Sequence, residues 1–162
     1  MFYPIMLTAE FRHLIPADFH PLHAGCWPER PAHDVEELLA RALKRQNQGR
    51  VYACVGIVDK GLCAFGMLTF WRTARAEISD LIVQRERRGQ GIGSAMIAHL
   101  TTIAYQHHVR TLEIGAFSAN PRALALYRRL GFRPYNTLKV RTASQPQYIV
   151  YLRKMLERLE AS

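Results

Sequence analysis

Apolar residues recur at helical spacing along much of this 162-residue chain. Spacings of three and four residues place such side chains on one face of a helix. The predicted helices cover residues 17–24, 34–48, 91–108 and 121–130. Asp34 is the predicted N-cap of the second helix, with Glu37 three residues later as in a capping box, and Gly49 is its stop signal.

Shorter apolar runs bounded by turn residues predict β-strands. These strands lie at 10–15, 50–59, 62–71, 77–83, 111–117 and 148–152, with another near 139–142. A short link at Lys60–Gly61 joins two of the runs and predicts a hairpin. Because a helix separates strands 77–83 and 111–117, we expect these two strands to pair in parallel. The order of elements indicates an α/β or α+β fold with helices on both sides of a mixed sheet.

The composition fits a single domain over residues 1–162. Hydrophobic residues make up 49% of the chain and charged residues 22%, which is ordinary for a globular protein. No apolar run approaches the ~18 residues of a membrane helix, and the first fourteen residues lack the pattern of a secretory signal. Three cysteines without a CxxC pair favour reduced thiols and a cytoplasmic location.

The formal net charge is +9, and a basic surface attracts polyanions such as nucleic acid or a polyphosphate cofactor. Four arginines concentrate near the last predicted helix, at Arg122, Arg128, Arg129 and Arg133. No named nucleic-acid-binding motif occurs, and aromatic residues are not interleaved with these charges. Nucleic acid is therefore not favoured as a partner, and no membrane partner is expected.

The residues His20, His23 and Cys26 have a three-residue spacing that invites comparison with zinc ligands. A fourth ligand would have to be His33 or an open position. The prolines and Trp27 between these residues indicate a loop, and neither spacing nor chemistry requires a metal. We therefore expect no metal site.

The run RGQGIGS, Arg88 to Ser94, follows a predicted strand and opens a predicted helix. The first N–H groups of a helix lack partners, and the helix dipole adds partial positive charge there. Glycines at 89, 91 and 93 remove Cβ atoms and admit a bulky anion such as a pyrophosphate. Ser94 breaks the dinucleotide fingerprint G-x-G-x-x-G, and no P-loop occurs. The alternative is a glycine-rich turn without a ligand.

This turn resembles the acetyl-CoA-binding signature of the GNAT superfamily of N-acetyltransferases, Arg/Gln-x-x-Gly-x-Gly/Ala. A second signature of that family, N-x-x-A-x-x-L-Y-x-x-x-G-F, is matched by Asn120, Ala123, Leu126, Tyr127, Gly131 and Phe132. The resemblance covers about residues 75–135 and departs from the family at Arg85, where a proline is frequent. It implies a GNAT-like fold, with a mostly antiparallel central sheet that contains one splayed parallel strand pair.

The resemblance implies transfer of an acetyl group from acetyl-CoA to a primary amine, by direct attack in a ternary complex. The cofactor-binding residues that it implies are Leu81, Ile82, Val83, Arg88, Gly89, Gln90, Gly91, Ile92, Gly93, Ser94, Asn120 and Tyr127. The Leu81 N–H would face the thioester oxygen, and Val83 would hydrogen-bond the pantetheine arm. No metal is implied.

For catalysis, the resemblance places Tyr127 beside the sulfur of CoA as the acid that protonates the leaving thiolate. Glu77 leads as the general base. Glu113 ranks lower because it lies two residues from Gly115, where other members carry their base, and an ordered water is a third choice. A packing tyrosine and ion-paired carboxylates are the structural alternatives.

The sequence does not decide whether the acceptor is an amino acid, a small amine, a peptide N-terminus or a protein lysine. The family resemblance implies that the loop with Trp27 lines the acceptor pocket and that the C-terminal strands form a homodimer. A non-catalytic CoA-binding regulatory module is the alternative function. A nucleic-acid-binding domain ranks last, because charge alone suggests it.

Overall fold

The computed structural model describes residues 8–157. The strands in this range are β1 (Glu10–His13), β2 (Val51–Val58), β3 (Gly61–Trp71), β4 (Arg75–Val83), β5 (Thr111–Phe117), β6 (Arg133–Val140) and β7 (Gln147–Met155). The helices are α1 (Phe19–Cys26), α2 (Ala32–Asn47), α3 (Ile92–Gln106) and α4 (Pro121–Arg129), with 3-10 turns at Pro16–Asp18 and Arg85–Arg87. Residues 1–7, on which the expectation about a secretory signal partly rests, lie outside the described range.

The strands form one mixed sheet in the order β1-β2-β3-β4-β5-β7-β6. Strands β4 and β5 pair in parallel, from Arg75 opposite Thr111 to Ile78 opposite Ile114. The pairs β1–β2, β5–β7 and β6–β7 are antiparallel. Helix α3 is the crossover between the two parallel strands, so the predicted parallel pair and mixed sheet are confirmed. Among residues 8–157, no helix combines the length and the apolar character needed to cross a bilayer.

The chain divides into two compact units. The N-terminal unit contains Met1–Met67 and Asp80–His99, and the C-terminal unit contains Leu68–Ser79 and Leu100–Ser162. The boundaries fall inside β3, β4 and α3. A single domain over residues 1–162 stays a prediction.

The core of the N-terminal unit joins α1 and α2 to strands β2 and β3. Leu22, Leu39, Val55 and Phe65 are among its buried side chains. On α2 the predicted apolar face is confirmed, because Leu39 is fully buried and Leu38 and Leu43 pack beside the core. Burying these apolar side chains is the main force that holds the helices on the sheet.

The predicted start of α2 at Asp34 is wrong. The helix begins at Ala32, its N-cap is Pro31, and no side chain caps it. The ring of a proline restricts its φ to about −65°, which is compatible with the start of a helix. The chain becomes helical directly after Pro31. Asp34 lies in the first turn, where its charge complements the helix dipole without the predicted capping bond.

The predicted hairpin is confirmed, but its turn lies one residue earlier than expected. Asp59 and Lys60 both have left-handed backbones, with φ of 49° and 66°. Two successive residues with positive φ match the twist of a two-residue hairpin, so Gly61 is free to begin β3.

In the C-terminal unit the apolar residues Leu112, Ile114, Phe132 and Leu152 are buried. Strand β6 begins at Arg133 rather than near residue 139, and seven of its eight residues are exposed. The sequence RPYNTLKV lacks an apolar face because β6 is an edge strand that pairs only with β7. Because this alternation is missing, only the end of the strand is predictable from the sequence.

A tyrosine and two histidines form an aromatic cluster in the N-terminal unit. The hydroxyl of Tyr52 lies 3.0 Å from Nε2 of His99, whose ring stacks on Phe11 at 5.3 Å. The ring of His13 lies 4.5 Å from that of Tyr52. Burial, and then the nearby His13, lower the pKa of His99, and burial raises the pKa of Tyr52 to about 12.

This cluster predicts that the protein loses stability when the pH falls below about 6.5, the ordinary pKa of histidine. A histidine whose pKa is lowered in the folded state takes up its proton more readily when the chain unfolds. Its contribution is therefore full above the unfolded pKa and is lost as the pH falls through the folded pKa. Melting temperatures measured from about pH 8 to about pH 5 should fall less in His99→Gln, which can still accept from Tyr52.

The exposed His20 provides the matched control, because His20→Gln should retain the pH dependence of the unmodified protein. Equal losses of melting temperature in His99→Gln and in the unmodified protein would remove His99 as the origin of the effect.

Candidate active site

The glycine turn connects the end of β4 to the start of α3 within the N-terminal unit. Gly89 and Gly91 have left-handed backbones, with φ of 77° and 83°. A Cβ atom added to either residue would meet no heavy atom within 4 Å. The two glycines therefore combine a backbone that disfavours other residues with open space beside it, which is the arrangement that a bulky anion needs.

The arginines beside this turn have different partners. The Nε of Arg88 donates a 3.0 Å hydrogen bond to the carbonyl of Val83, which ties the turn back to β4. Arg87 forms a 3.3 Å ion pair with Asp59 in the β2–β3 hairpin. Arg85 is exposed. The side chains of Arg87 and Arg88 thus hold the turn in shape, and the backbone N–H groups that follow are the groups presented to an anion.

The structure brings Leu81, Ile82 and Val83 into the same unit as the turn 88–94. Asp80, immediately before them, has φ of 52°, which is uncommon for a residue other than glycine. Desolvation raises the pKa of Asp80, and Arg30 and Arg45 act in the opposite direction. The left-handed residue interrupts the regular alternation of β4 directly before the predicted oxyanion donor, Leu81. No local sequence signal predicts this conformation.

A cavity of about 630 Å³ lies between the end of α1, the loop with Trp27 and the segment 84–88, all in the N-terminal unit. Trp27 packs edge-on against Phe65 at 5.6 Å. Burial raises the pKa of the Cys26 thiol to about 12, so that this thiol stays protonated at neutral pH. Nε2 of His23 lies 2.8 Å from the carbonyl of Arg30. Among residues 8–157, no three or more His, Cys, Asp or Glu side chains are grouped so that they could hold a metal ion.

The second signature builds helix α4 in the C-terminal unit. The Oδ1 of Asn120 accepts from the Ala123 N–H at 3.2 Å and caps the helix, and Pro121 takes its first position. Gly131, with φ of 96°, follows its end. These signature residues therefore have local roles in starting and ending the helix.

Tyr127 is 7% exposed, and its ring meets that of Phe132 edge-on at 6.4 Å. Burial raises its pKa, so the phenol holds its proton at neutral pH. In the described part of the chain, no buried side-chain nitrogen or oxygen lacks a hydrogen-bond partner, and no residue there bonds the Tyr127 hydroxyl. No hydrogen bond to a residue among 8–157 therefore competes for this hydroxyl.

The two candidate bases lie side by side in the C-terminal unit, because Glu77 on β4 is paired in register with Glu113 on β5. Glu113 is 5% exposed and forms a 3.1 Å ion pair with Arg75. Glu113, and more weakly Glu77, raise the pKa of Arg75. Glu113 is therefore an ion-paired carboxylate, as the structural alternative expects, and its partner is Arg75.

Gly115, where other family members were expected to carry their base, lies opposite Tyr151 in the β5–β7 register. A Cβ atom at this position would come within 3.0 Å of the Tyr151 ring and 3.2 Å of Ile149. The aromatic ring fills the space in which a side chain on β5 would begin. Tyr151 lies on β7, thirty-six residues later in the chain, so the sequence around Gly115 does not reveal this contact.

A sequence profile of the acetyltransferase (GNAT) family matches residues 11–132. The chain is 27% identical over 121 residues to the [ribosomal protein bS18]-alanine N-acetyltransferase of Escherichia coli K12, covering 73% of this chain and 74% of that protein. It is 35% identical over 75 residues to the thialysine N-epsilon-acetyltransferase of Bos taurus, covering 46% of this chain and 44% of that enzyme.

Two solved structures share the fold. The ribosomal-protein-alanine N-acetyltransferase of Brucella melitensis superposes with a TM-score of 0.77 at 24% identity, over 91% of this chain and 99% of that one. The structure of yncA from Salmonella typhimurium, solved with acetyl-CoA, superposes with a TM-score of 0.73 at 20% identity, over 94% and 96% of the two chains. At such identities the likeness demonstrates a common fold.

The open hydroxyl of Tyr127 makes a prediction about stability. Tyr127→Phe should leave the free energy of unfolding within about 0.5 kcal/mol of the original value, because no hydrogen bond to another residue among 8–157 is lost. Tyr127→Ala should lower it by about 3 kcal/mol or more, because the buried ring is removed. Urea unfolding of both variants measures the difference. A loss above 1 kcal/mol in Tyr127→Phe would mean that the hydroxyl has a structural bond (~1 kcal/mol each).

Proposed function

The chain belongs to the acetyltransferase (GNAT) family, and on that basis we propose that it transfers the acetyl group of acetyl-CoA to a primary amine by direct attack in a ternary complex. As a member of this family it is an acetyl-CoA-dependent N-acetyltransferase. The observation that carries the proposal is the turn before α3, with open space over the left-handed Gly89 and Gly91. That turn fits a pyrophosphate, which CoA contains.

Acetyl-CoA supplies a thioester whose acyl carbon is open to attack by an amine. The backbone N–H groups from Gly89 to Ser94 would hold the pyrophosphate at the start of α3. The Leu81 N–H would stabilise the charge that develops on the carbonyl oxygen, and Val83 would bind the pantetheine arm. The Arg88–Val83 hydrogen bond supports this assignment, because it fixes the turn against the strand that carries both groups.

Tyr127 is proposed as the general acid for the departing thiolate. Its raised pKa keeps the phenol protonated at neutral pH, and its hydroxyl is not occupied by another residue of the described chain. A protonated donor with an open oxygen is what the leaving group requires. Asn120 contributes by capping the helix that carries Tyr127.

Glu77 is proposed as the general base. Glu113 ranks below it because Glu113 lies two residues from Gly115, the position at which the family resemblance places a base on β5. Glu113 is also 5% exposed. An ordered water that relays the proton is the remaining choice.

For the acceptor we propose only the chemical class, a primary amine. The relatives' names mention an alanine of a ribosomal protein and the N-epsilon group of thialysine. Both are primary amines in different molecular settings, which supports the class. The cavity beside Trp27 is the proposed acceptor pocket. A homodimer and a cytoplasmic location stay predictions.

The direct experiment incubates the purified protein with acetyl-CoA and a panel containing amino acids, polyamines and peptides. The proposal expects release of the free CoA thiol with at least one amine. The alternative, a non-catalytic CoA-binding module, expects CoA to raise the melting temperature while no amine on the panel is acetylated. A protein whose melting temperature no CoA analogue raises at about millimolar concentration would contradict both.

The open space over the turn predicts the effect of Gly91→Ala on cofactor binding. The methyl group meets nothing in the protein, so the variant should lose only about 1 kcal/mol of stability for its left-handed backbone. The same methyl group would occupy the space of the pyrophosphate, and the Kd for CoA should rise about tenfold or more (about 1.4 kcal/mol).

Gly49 provides the matched control. It has a φ of 71° and equally open surroundings at the end of α2. Gly49→Ala should therefore lose a similar stability and keep its affinity for CoA. Calorimetric titration with CoA measures both variants, and equal affinities would show that the turn does not hold the phosphates.

Tyr127→Phe is predicted to lower kcat by about 100-fold or more, because a general acid contributes that much to a rate. The Kd for CoA should change little, since the ring remains. Tyr105→Phe on α3 is the control and should keep the original kcat. An unchanged kcat in Tyr127→Phe, with the fold intact, would remove Tyr127 as the acid.

A further inference from the structure

The positive charge of the protein is concentrated in one of its two units. The described residues of the C-terminal unit include eleven Lys and Arg against three Asp and Glu, whereas those of the N-terminal unit include ten against nine. From residue 114 to residue 156 there is no acidic residue at all. Such an excess of positive charge attracts a polyanion to the C-terminal unit.

Several of these cations gather where α4 ends and β6 begins. The Nη1 of Arg133 donates to the carbonyl of Arg128 at 3.2 Å, and the Nζ of Lys154 donates to the carbonyl of Leu130 at 2.9 Å. Both bonds satisfy carbonyls at the C-terminal end of the helix, where the dipole favours positive charge. Arg128 and Arg129 are exposed beside them.

An aromatic ring stands within this group of cations. Arg133 is paired in register with Arg153 across β6 and β7. The guanidinium of Arg153 lies 3.7 Å above the ring of Tyr135, which is 38% exposed. Glu113, the acidic residue opposite Arg153 on β5, is buried and ion-paired with Arg75. The pairing of β6 with β7 therefore interleaves an aromatic ring and cations that lie far apart in the sequence.

We propose that this surface binds single-stranded nucleic acid. Its residues are Arg128, Arg129, Arg133, Tyr135 and Arg153, which we call the α4–β6 basic surface. The arginines contact phosphates, and the stack of Tyr135 with Arg153 supplies the planar groups on which unpaired bases stack. In the sequence, nucleic acid is disfavoured because aromatic residues are not interleaved with the arginines. The pairing of β6 with β7 brings Tyr135 and Arg153 together and removes this objection.

The stacked pair favours nucleic acid over other polyanions. An acidic protein or an anionic membrane would use the charge of the arginines, but neither needs a flat aromatic ring beside a guanidinium. The surface also lies at the end of α4 opposite Asn120, about 13 Å along the helix axis at 1.5 Å per residue.

The test measures fluorescence anisotropy of labelled single-stranded RNA and DNA of about 12 nucleotides, enough to span a single-strand site, between about 50 and 200 mM salt. Four arginines that each neutralise a phosphate predict a slope of about −3 for log K against log salt, at roughly −0.7 per contact. The double variant Arg128→Gln/Arg129→Gln should weaken binding and reduce the slope by about 1.4. Arg41→Gln/Lys44→Gln on α2 removes the same charge from the N-terminal unit and should bind as the unmodified protein does.

Variants at Tyr135 distinguish the contribution of base stacking from that of charge. Tyr135→Phe should keep the affinity, and Tyr135→Ala should lower it about tenfold, the typical cost of losing one stacked base. If Tyr135→Ala lowers the melting temperature, Tyr135→Leu replaces it, since that variant keeps an apolar side chain without a ring.

Four results would overturn the proposal. These are no binding of either oligonucleotide, an affinity insensitive to loss of the Tyr135 ring, equally tight binding to polyglutamate or to phosphatidylserine vesicles, and displacement of the oligonucleotide by saturating acetyl-CoA. The first ends the idea, the second and third would describe a surface for an acidic protein or a membrane, and the fourth would place the binding in the cofactor site. None of these measurements requires acetyl transfer, so the proposed enzyme activity stands or falls separately.

Discussion

The hydrogen bond from Arg88 to the Val83 carbonyl holds the passage from β4 into α3, and the proposed anion site depends on this passage. The chain turns through two left-handed residues before the helix begins, and the space beside both is open. Glycine meets both requirements at once. The crossover helix then returns the chain to β5 and fixes its parallel pairing with β4. The shape of the site and the topology of the sheet therefore share one cause.

The residues of the second signature also have two roles, because they position helix α4 and the helix carries Tyr127. Asn120 caps α4 and Gly131 follows its end, so two of its residues set where the helix lies along the chain. Tyr127 on this helix is buried. The proton donor proposed at this position would therefore not depend on a flexible loop for its placement.

Most elements of the fold could be predicted from the sequence because their signals are local. The apolar face of α2, the β2–β3 hairpin and the crossover helix follow from spacing and turn residues. The start of α2 was misplaced because a proline cap competes with a capping box, and β6 was largely missed because an edge strand needs no apolar face. The Arg75–Glu113 and Tyr135–Arg153 contacts depend on strand register, which a single sequence does not reveal. The candidate site followed from two motifs, but the left-handed Asp80 beside it carried no local signal.

The contact between Gly115 and Tyr151 bears on how this protein could evolve. Because the Tyr151 ring lies beside the backbone of β5, a side chain at position 115 would begin 3.0 Å from it, and the ring would have to give by a few tenths of an ångström. A smaller residue at position 151 would relieve this contact, but it would leave a gap until a larger residue filled position 115. Substitutions at the two positions are therefore coupled, and the order in which they arise affects how well each is tolerated.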